Sequence, residues 1–153
     1  MSFMQEYPKL VEERAALGIP PLPLNANQTQ ELCKLLENEN NEELANLLEN
    51  RVNPGVDDAA LVKCEFLDSI LKDKISTPNI DKKRALRMLG TMLGGYNVKV
   101  LIDALKDENI AKDAAEVLKN IIFVHDNFHT IAELSKNNPH AKEVLQSWAN
   151  ADW

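Results

Sequence analysis

Glycine is scarce in this chain, with five residues in 153, and aromatic side chains make up only 5% of it. A sandwich of short strands needs many turns and aromatic cross-strand pairs, so this composition fits helices better than a β-sandwich. No stretch approaches the roughly 18 consecutive apolar residues of a membrane span. The first ten residues include Glu6 and Lys9 and hold no apolar run of the secretory type. There are only two cysteines, Cys33 and Cys64, far apart and without a CxxC partner. Neither a disulfide framework nor a zinc-finger spacing is available to them, and the reducing cytoplasm is the expected compartment. Positive charge is in the minority, since the formal net charge is −7. A general polyanion binder needs a clustered positive face, so any nucleic-acid role is expected to be local. Also missing are a Ser-His-Asp order, a glycine-rich phosphate loop and a cofactor fingerprint.

What the sequence does contain is helical periodicity. Apolar residues are 44% and charged residues 27%, and a chain of this length can bury about 70% of its unfolded surface, enough for one core. The spacing predicts nine helices and no strand. The first spans about 4–17, with Tyr7, Leu10, Val11 and Leu17 inward, and Gly18 suits the left-handed turn behind it. Residues 19–26, with three prolines, are predicted to form an extended tether. Residues 27–150 follow as helical hairpins. Leu32, Leu35 and Leu36 mark the second helix, and Leu44, Leu47 and Leu48 the third, which Pro54-Gly55 terminates. Asp57 or Asp58 caps the fourth, whose Leu61, Cys64, Leu67, Ile70 and Leu71 face inward. Asp81 caps the fifth, which runs to Leu93 before Gly94-Gly95, and Asn97 caps the sixth. The seventh covers about 110–124, and the eighth carries Phe128, Ile131 and Leu134. Asn138-Pro139 opens the ninth, with Val144, Leu145 and Trp148 inside. Short helices on short links fold back on their neighbours, so the expected architecture is all-α, stacked antiparallel helical hairpins in one domain.

Few constellations in the chain carry chemistry. His125 and His129 stand four apart (HDNFH), a weak likeness to the His-Glu-x-x-His zinc motif. Asp126 is a methylene shorter than the required base, no third ligand is indicated, and a bend at Asp126 or Asn127 would keep the rings apart. Cys33 and Cys64 read as buried thiols, because a cluster needs three or four ligands. Glu37, Glu39, Glu42, Glu43 and Glu49 read as a solvated face. Lys82, Lys83, Arg84, Arg87 and Lys99 lie in a stretch free of acidic residues between Asp81 and Asp103. They form either an ordinary solvated helix face or a docking patch for an acidic partner or RNA phosphates. Pro20 and Pro23 match a minimal PxxP pattern but read better as tether. Gly90 allows a close helix approach. Trp148 belongs to the last apolar stripe, whereas Trp153 follows it as an exposed indole, so the natural chain is expected to continue beyond it.

Leu36 to Asn40 and Leu47 to Asn50 are echoed by Leu105 to Asn109 and Val117 to Asn120. The span 101–121 resembles a HEAT-type repeat, in which an acidic turn leads into an Ala-rich helix, although HEAT units are usually longer. Four segments together carry a wider resemblance: YPKLVEERAALGIPPLPLNANQTQEL (7–32), NRVNPGVDDAALVK (50–63), LGTMLGGYNVKVLIDAL (89–105) and QSWANADW (146–153). They resemble the amino-terminal HEAT-like domain of bacterial aconitate hydratase B, over essentially the whole chain and in the expected order. LGTMxGGYN and SWANADW are the specific parts.

The resemblance implies an α-α superhelix that is the first domain of a citric-acid-cycle lyase converting citrate to isocitrate through cis-aconitate. It also implies that the catalytic residues and the [4Fe-4S] cluster of the full-length enzyme lie in later domains. This chain would then hold no cofactor and would not be an enzyme by itself. Its implied roles are packing against those domains, shaping the substrate path and protein–protein association, including a homodimer. Trp148 and Trp153 are the candidate interdomain contact. Messenger RNA, bound through 82–99, is the alternative partner, and no membrane partner is expected.

Overall fold

The computed structural model describes residues 2–121 and 123–152, and among them the fold is all-α, with helices and no strand. The helices are α1 (Phe3–Ala16), α2 (Ala26–Asn38), α3 (Glu42–Asn50), α4 (Asp58–Leu71), α5 (Lys82–Gly90), α6 (Tyr96–Ala104), α7 (Ala111–Lys119), α8 (Asn127–Leu134) and α9 (Pro139–Ala149). Each packs on its neighbour or its next neighbour. α2 lies on α3 and α4, α4 on α5 and α6, α5 on α7, and α7 on α9, while α8 rests on α9. A single apolar cluster runs from Phe3 in α1 to Val144 in α9, so the chain closes its core with its own residues.

Side-chain caps set most helix starts, because each satisfies amide donors that the first turn leaves orphaned. Asn25 accepts from the Gln28 amide at 2.9 Å while Gln28 accepts from the Asn25 amide at 3.0 Å, a reciprocal box. Asn41 accepts from Glu43 N at 3.0 Å, Asp57 from Ala60 N at 2.8 Å and Asp81 from Arg84 N at 2.7 Å. Asn138 accepts from His140 N and Ala141 N at 3.0 and 3.1 Å, ahead of Pro139 in the first turn. Its amide also donates to Leu105 O at 2.7 Å, which ties α9 to the end of α6.

The prolines of the 19–25 link do not hang free. Arg14 Nε donates to Pro20 O at 2.6 Å, Arg51 Nη2 donates to Pro21 O, and Leu24, buried, donates its amide to Arg51 O at 2.8 Å. Gly18 has φ +71°, the left-handed conformation expected behind α1.

Several expectations are corrected. α2 begins at Ala26, inside the stretch read as extended. Leu10, Leu17 and Leu61 are exposed, since α1 has only α2, and part of α3, to lie against, and Leu61 opens onto a cleft. α3 ends at Asn50, before Pro54-Gly55. α5 ends at Gly90, where the Thr91 hydroxyl donates to Met88 O at 2.8 Å, and does not reach Leu93. α7 ends at Lys119, with Asn120 donating its side-chain amide back to Glu116 O at 2.9 Å. Asn97 is no cap: Gly95, at φ +95°, precedes α6, and Asn97 is buried inside it. Its amide donates to Leu89 O at 2.7 Å and Met92 O at 3.1 Å, tying α6 to the end of α5 and the turn behind it.

Gly90 has the role expected of it. A Cβ there would stand 2.7 Å from Val117 Cγ1, so the absent side chain lets α5 and α7 close together. Gly94 is pressed against the backbone of Gly55 and the side chain of Val56, where no β-carbon fits.

Candidate functional site

The cations singled out from the sequence do not converge. Arg84 reaches across from α5 to α3, with Nη1 2.7 Å from Glu42 Oε1 and Nη2 3.0 Å from Glu49 Oε2. It also donates to Asn79 O and Asn46 Oδ1 at 3.1 and 3.2 Å, and only 14% of its side chain is exposed. Arg87 lies 3.4 Å from Glu49 Oε1, and Lys82 lies 2.7 Å from Asp73 Oδ2. Lys83 and Lys99 are exposed, but Lys99 stands on α6, beside a different cleft. Lys82, Arg84 and Arg87 are therefore paired in space with carboxylates from α3 and from the 72–81 loop. A basic face able to release phosphate counterions is not formed, and the RNA-binding alternative finds no support in this geometry. Glu42 and Glu49, read as solvated, are the anchors of that network.

Sequence reasoning missed Lys63. It is only 2% exposed, the largest side chain so deeply buried, and Nζ donates to Glu49 O at 3.3 Å. Burial lowers its pKa from 10.5 to about 8, with the Glu49 carboxylate pulling the other way. The signal was available: position 63 lies four residues from Ala59 and four from Leu67, both buried, and so falls on the inward stripe of α4.

Cys33 and Cys64 are free and buried, and desolvation pushes both thiols from 9.0 up to about 12. They remain protonated, whereas a cluster ligand must be a thiolate. No group of three or more His, Cys, Asp or Glu residues able to hold a metal occurs among the described residues. The residues present do not fit an iron–sulfur cluster, and no chemistry is derived through one. His125 adopts φ +50° ahead of α8, and its ring stacks on Phe123 at 6.5 Å, while His129 meets Phe128 edge-on at 6.0 Å. The two imidazoles are held by different partners.

A cleft of about 570 Å³ lies between α4 and α6 and is lined by Cys64, Asp68, Tyr96, Lys99, Asp103 and His125, among others. Lys72 bridges its acids, 2.9 Å from Asp68 and 3.8 Å from Asp103, and the hydrogen bond to Asp68 holds the Lys72 ammonium above its ordinary pKa. A nucleophile paired with a base, or an oxyanion donor facing either, is not assembled among these side chains. Trp148 is half-buried and stacks on Phe128 at 6.3 Å, and Trp153 lies outside the described residues.

These features define an all-helical domain in which Lys82, Arg84 and Arg87 pair with carboxylates of neighbouring elements. The sequence comparisons specify which one. Residues 6–153 match the aconitate B N-terminal domain, and the chain belongs to that family. It is 50% identical to aconitate hydratase B from Pseudomonas aeruginosa over 98% of this chain and 18% of that protein. The corresponding identity is 49% for aconitate hydratase B from Synechocystis sp. and 48% for that from Escherichia coli, again over 98% of this chain and 18% of each. The chain thus spans about a fifth of the length of the curated relatives it matches. No helix among the described residues is long and apolar enough to cross a membrane.

Proposed function

We propose that this chain is the amino-terminal, HEAT-like domain of an aconitate hydratase B, a lyase that isomerises citrate to isocitrate through cis-aconitate. It supplies shape and contact surface, while the catalytic residues and the [4Fe-4S] cluster reside in later domains. The observation that carries this reading is near-50% identity along 98% of the chain to a segment forming 18% of each relative. Its own side chains support the division of labour: the buried thiols are held protonated and Arg84 is paired with the carboxylates of Glu42 and Glu49. Layered helices leave their outer faces and connecting loops free for partners, as in other helical stacks. Trp148, with Trp153, is the candidate contact to the next domain, and association between copies is a further role of the same surface.

An antibody against this chain tests the proposal in an extract of the native organism. The expected antigen is several times larger than the 17.2 kDa of this chain and copurifies with citrate–isocitrate isomerisation. A 17.2 kDa antigen separating from that activity overturns it.

A further inference from the structure

Large apolar side chains are left in water along one edge of the molecule. Val56 is 66% exposed, Leu93 61% and Phe123 61%, and Phe128, three residues beyond the His125 ring that stacks on Phe123, is exposed as well. Scattered apolar residues need no explanation, but a contiguous set does. These are held as a set. Leu93 donates its amide to Pro54 O at 2.7 Å, and the Tyr96 hydroxyl donates to Val56 O at 3.0 Å, so the 54–56 and 91–96 segments are tied together. Gly94, with no room for a side chain against Gly55, locks that junction. The ring of His125 lies against Gly95, at 3.2 Å from where a β-carbon would be, and stacks on Phe123, which brings the 123–128 segment to the same edge. His125 holds a left-handed backbone that a non-glycine residue adopts only where its surroundings impose it. Two clefts flank the ridge, one containing Leu93 and Phe123, the other Gly95 and His125. A preformed apolar ridge between two clefts loses little conformational entropy on docking.

We propose that this edge, formed by Val56, Leu93, Phe123 and Phe128, is the face that docks on an apolar surface of the following part of the same polypeptide. The inference rests on the reading of the chain as the first domain of a larger enzyme. Two observations select that occupant. More than four-fifths of each relative's length lies outside the matched segment. Trp148, in the last turns of α9, stacks on Phe128 at 6.3 Å, so the chain leaves α9 beside this edge and delivers whatever follows at high effective concentration.

Hydroxyl-radical footprinting compares the isolated chain, which closes its own core, with the intact enzyme. Leu93, Phe123 and Phe128 are expected to be modified at least fivefold less in the intact enzyme, while Leu17 and Leu22, exposed on the α1 side, react equally in both. Equal modification of Leu93 and Phe123 in the two samples, with protection on another face, overturns this inference and leaves the domain reading standing. Protection nowhere on this chain overturns both. Protection that appears in the isolated chain as its concentration rises assigns the edge to a second copy and overturns the proposed occupant.

Discussion

Replacing Lys63 by methionine should stabilise the protein at neutral pH, although it deletes a hydrogen bond. The folded state lowers the Lys63 pKa from 10.5 to about 8, so at pH 7 the ammonium is charged in both states but desolvated in one. At about 1.4 kcal/mol per pKa unit, carrying that charge into the core costs about 3 kcal/mol. Methionine fills similar volume and removes the cost. It also leaves Glu49 O without its donor, a loss of about 1–2 kcal/mol. The balance favours Lys63→Met by about 1–2 kcal/mol, or a rise in Tm of about 3–6 °C.

The pH profile identifies the cause. Between pH 8 and 10.5 the unfolded chain binds more protons at Lys63 than the folded chain does, so stability rises with pH by about 1.4 kcal/mol per unit. Cys33 and Cys64 act oppositely. Their folded pKa values near 12 exceed the 9.0 of the free thiol, so their contribution is complete below pH 9 and lost as pH climbs toward 12. Wild-type stability should therefore peak a little below pH 9, only about half a kcal/mol above its value at pH 7 because the unfolded thiols already ionise there, and fall beyond. Lys63→Met should be level from pH 7 to about 8 and then fall without a peak. Urea unfolding followed by circular dichroism at half-unit pH steps measures both curves. A difference between the wild-type and Lys63→Met curves that does not change between pH 7 and 9, or a Lys63→Met protein less stable than wild type at pH 7, would refute the reasoning.

Gly90→Ala should cost about 1–3 kcal/mol through overlap with Val117, and Val117→Ala introduced with it should recover part of that loss, measured as a double-mutant cycle. Asn138→Ala removes two capping bonds and the bond to Leu105 O, so a loss of about 2 kcal/mol is expected in thermal unfolding; a loss below 0.5 would show that the cap contributes nothing, by the scale of surface substitutions. Arg84→Gln leaves Glu42 without its ion-pair partner and Glu49 with Arg87 alone, and should destabilise by about 1–3 kcal/mol, whereas exposed Lys83→Gln should stay within about 0.5 kcal/mol of wild type. Neither thiol should react with a thiol-specific chromogenic reagent in the native protein, and both should react in denaturant, since Cys33 and Cys64 are buried and protonated; rapid native labelling would contradict their placement.

The helices were legible because their determinants are local. An apolar stripe at three- and four-residue spacing and a cap at Asp57, Asp81 or Asn138 act within one or two turns, so periodicity located the elements and Gly90 announced a close packing. Family membership was legible for a similar reason, since LGTMLGGYN and the residues around Trp148 stand in a fixed order along the chain. Helix ends were less so. α5 and α7 stop short of their expected limits because Thr91 and Asn120 turn their side chains back on the last carbonyls. Asn97 looked like a cap because its type favours one, yet its amide serves the neighbouring helix.

The sequence by itself determined the all-helical class, the approximate positions of the helices and the family. Only the tertiary structure decided what the charges do. Lys82, Arg84 and Arg87 lie within six positions along the chain, but the carboxylates that hold them come from Asp73, Glu42 and Glu49, up to 42 positions away. A linear reading counts charge per segment, whereas a Coulomb interaction falls with distance in space, and the Arg84 side chain reaching from α5 to α3 brings opposite signs to 2.7 and 3.0 Å of each other. The burial of Lys63 and the exposure of Leu93 and Phe123 were decided at the same level, because each depends on which helix arrives alongside.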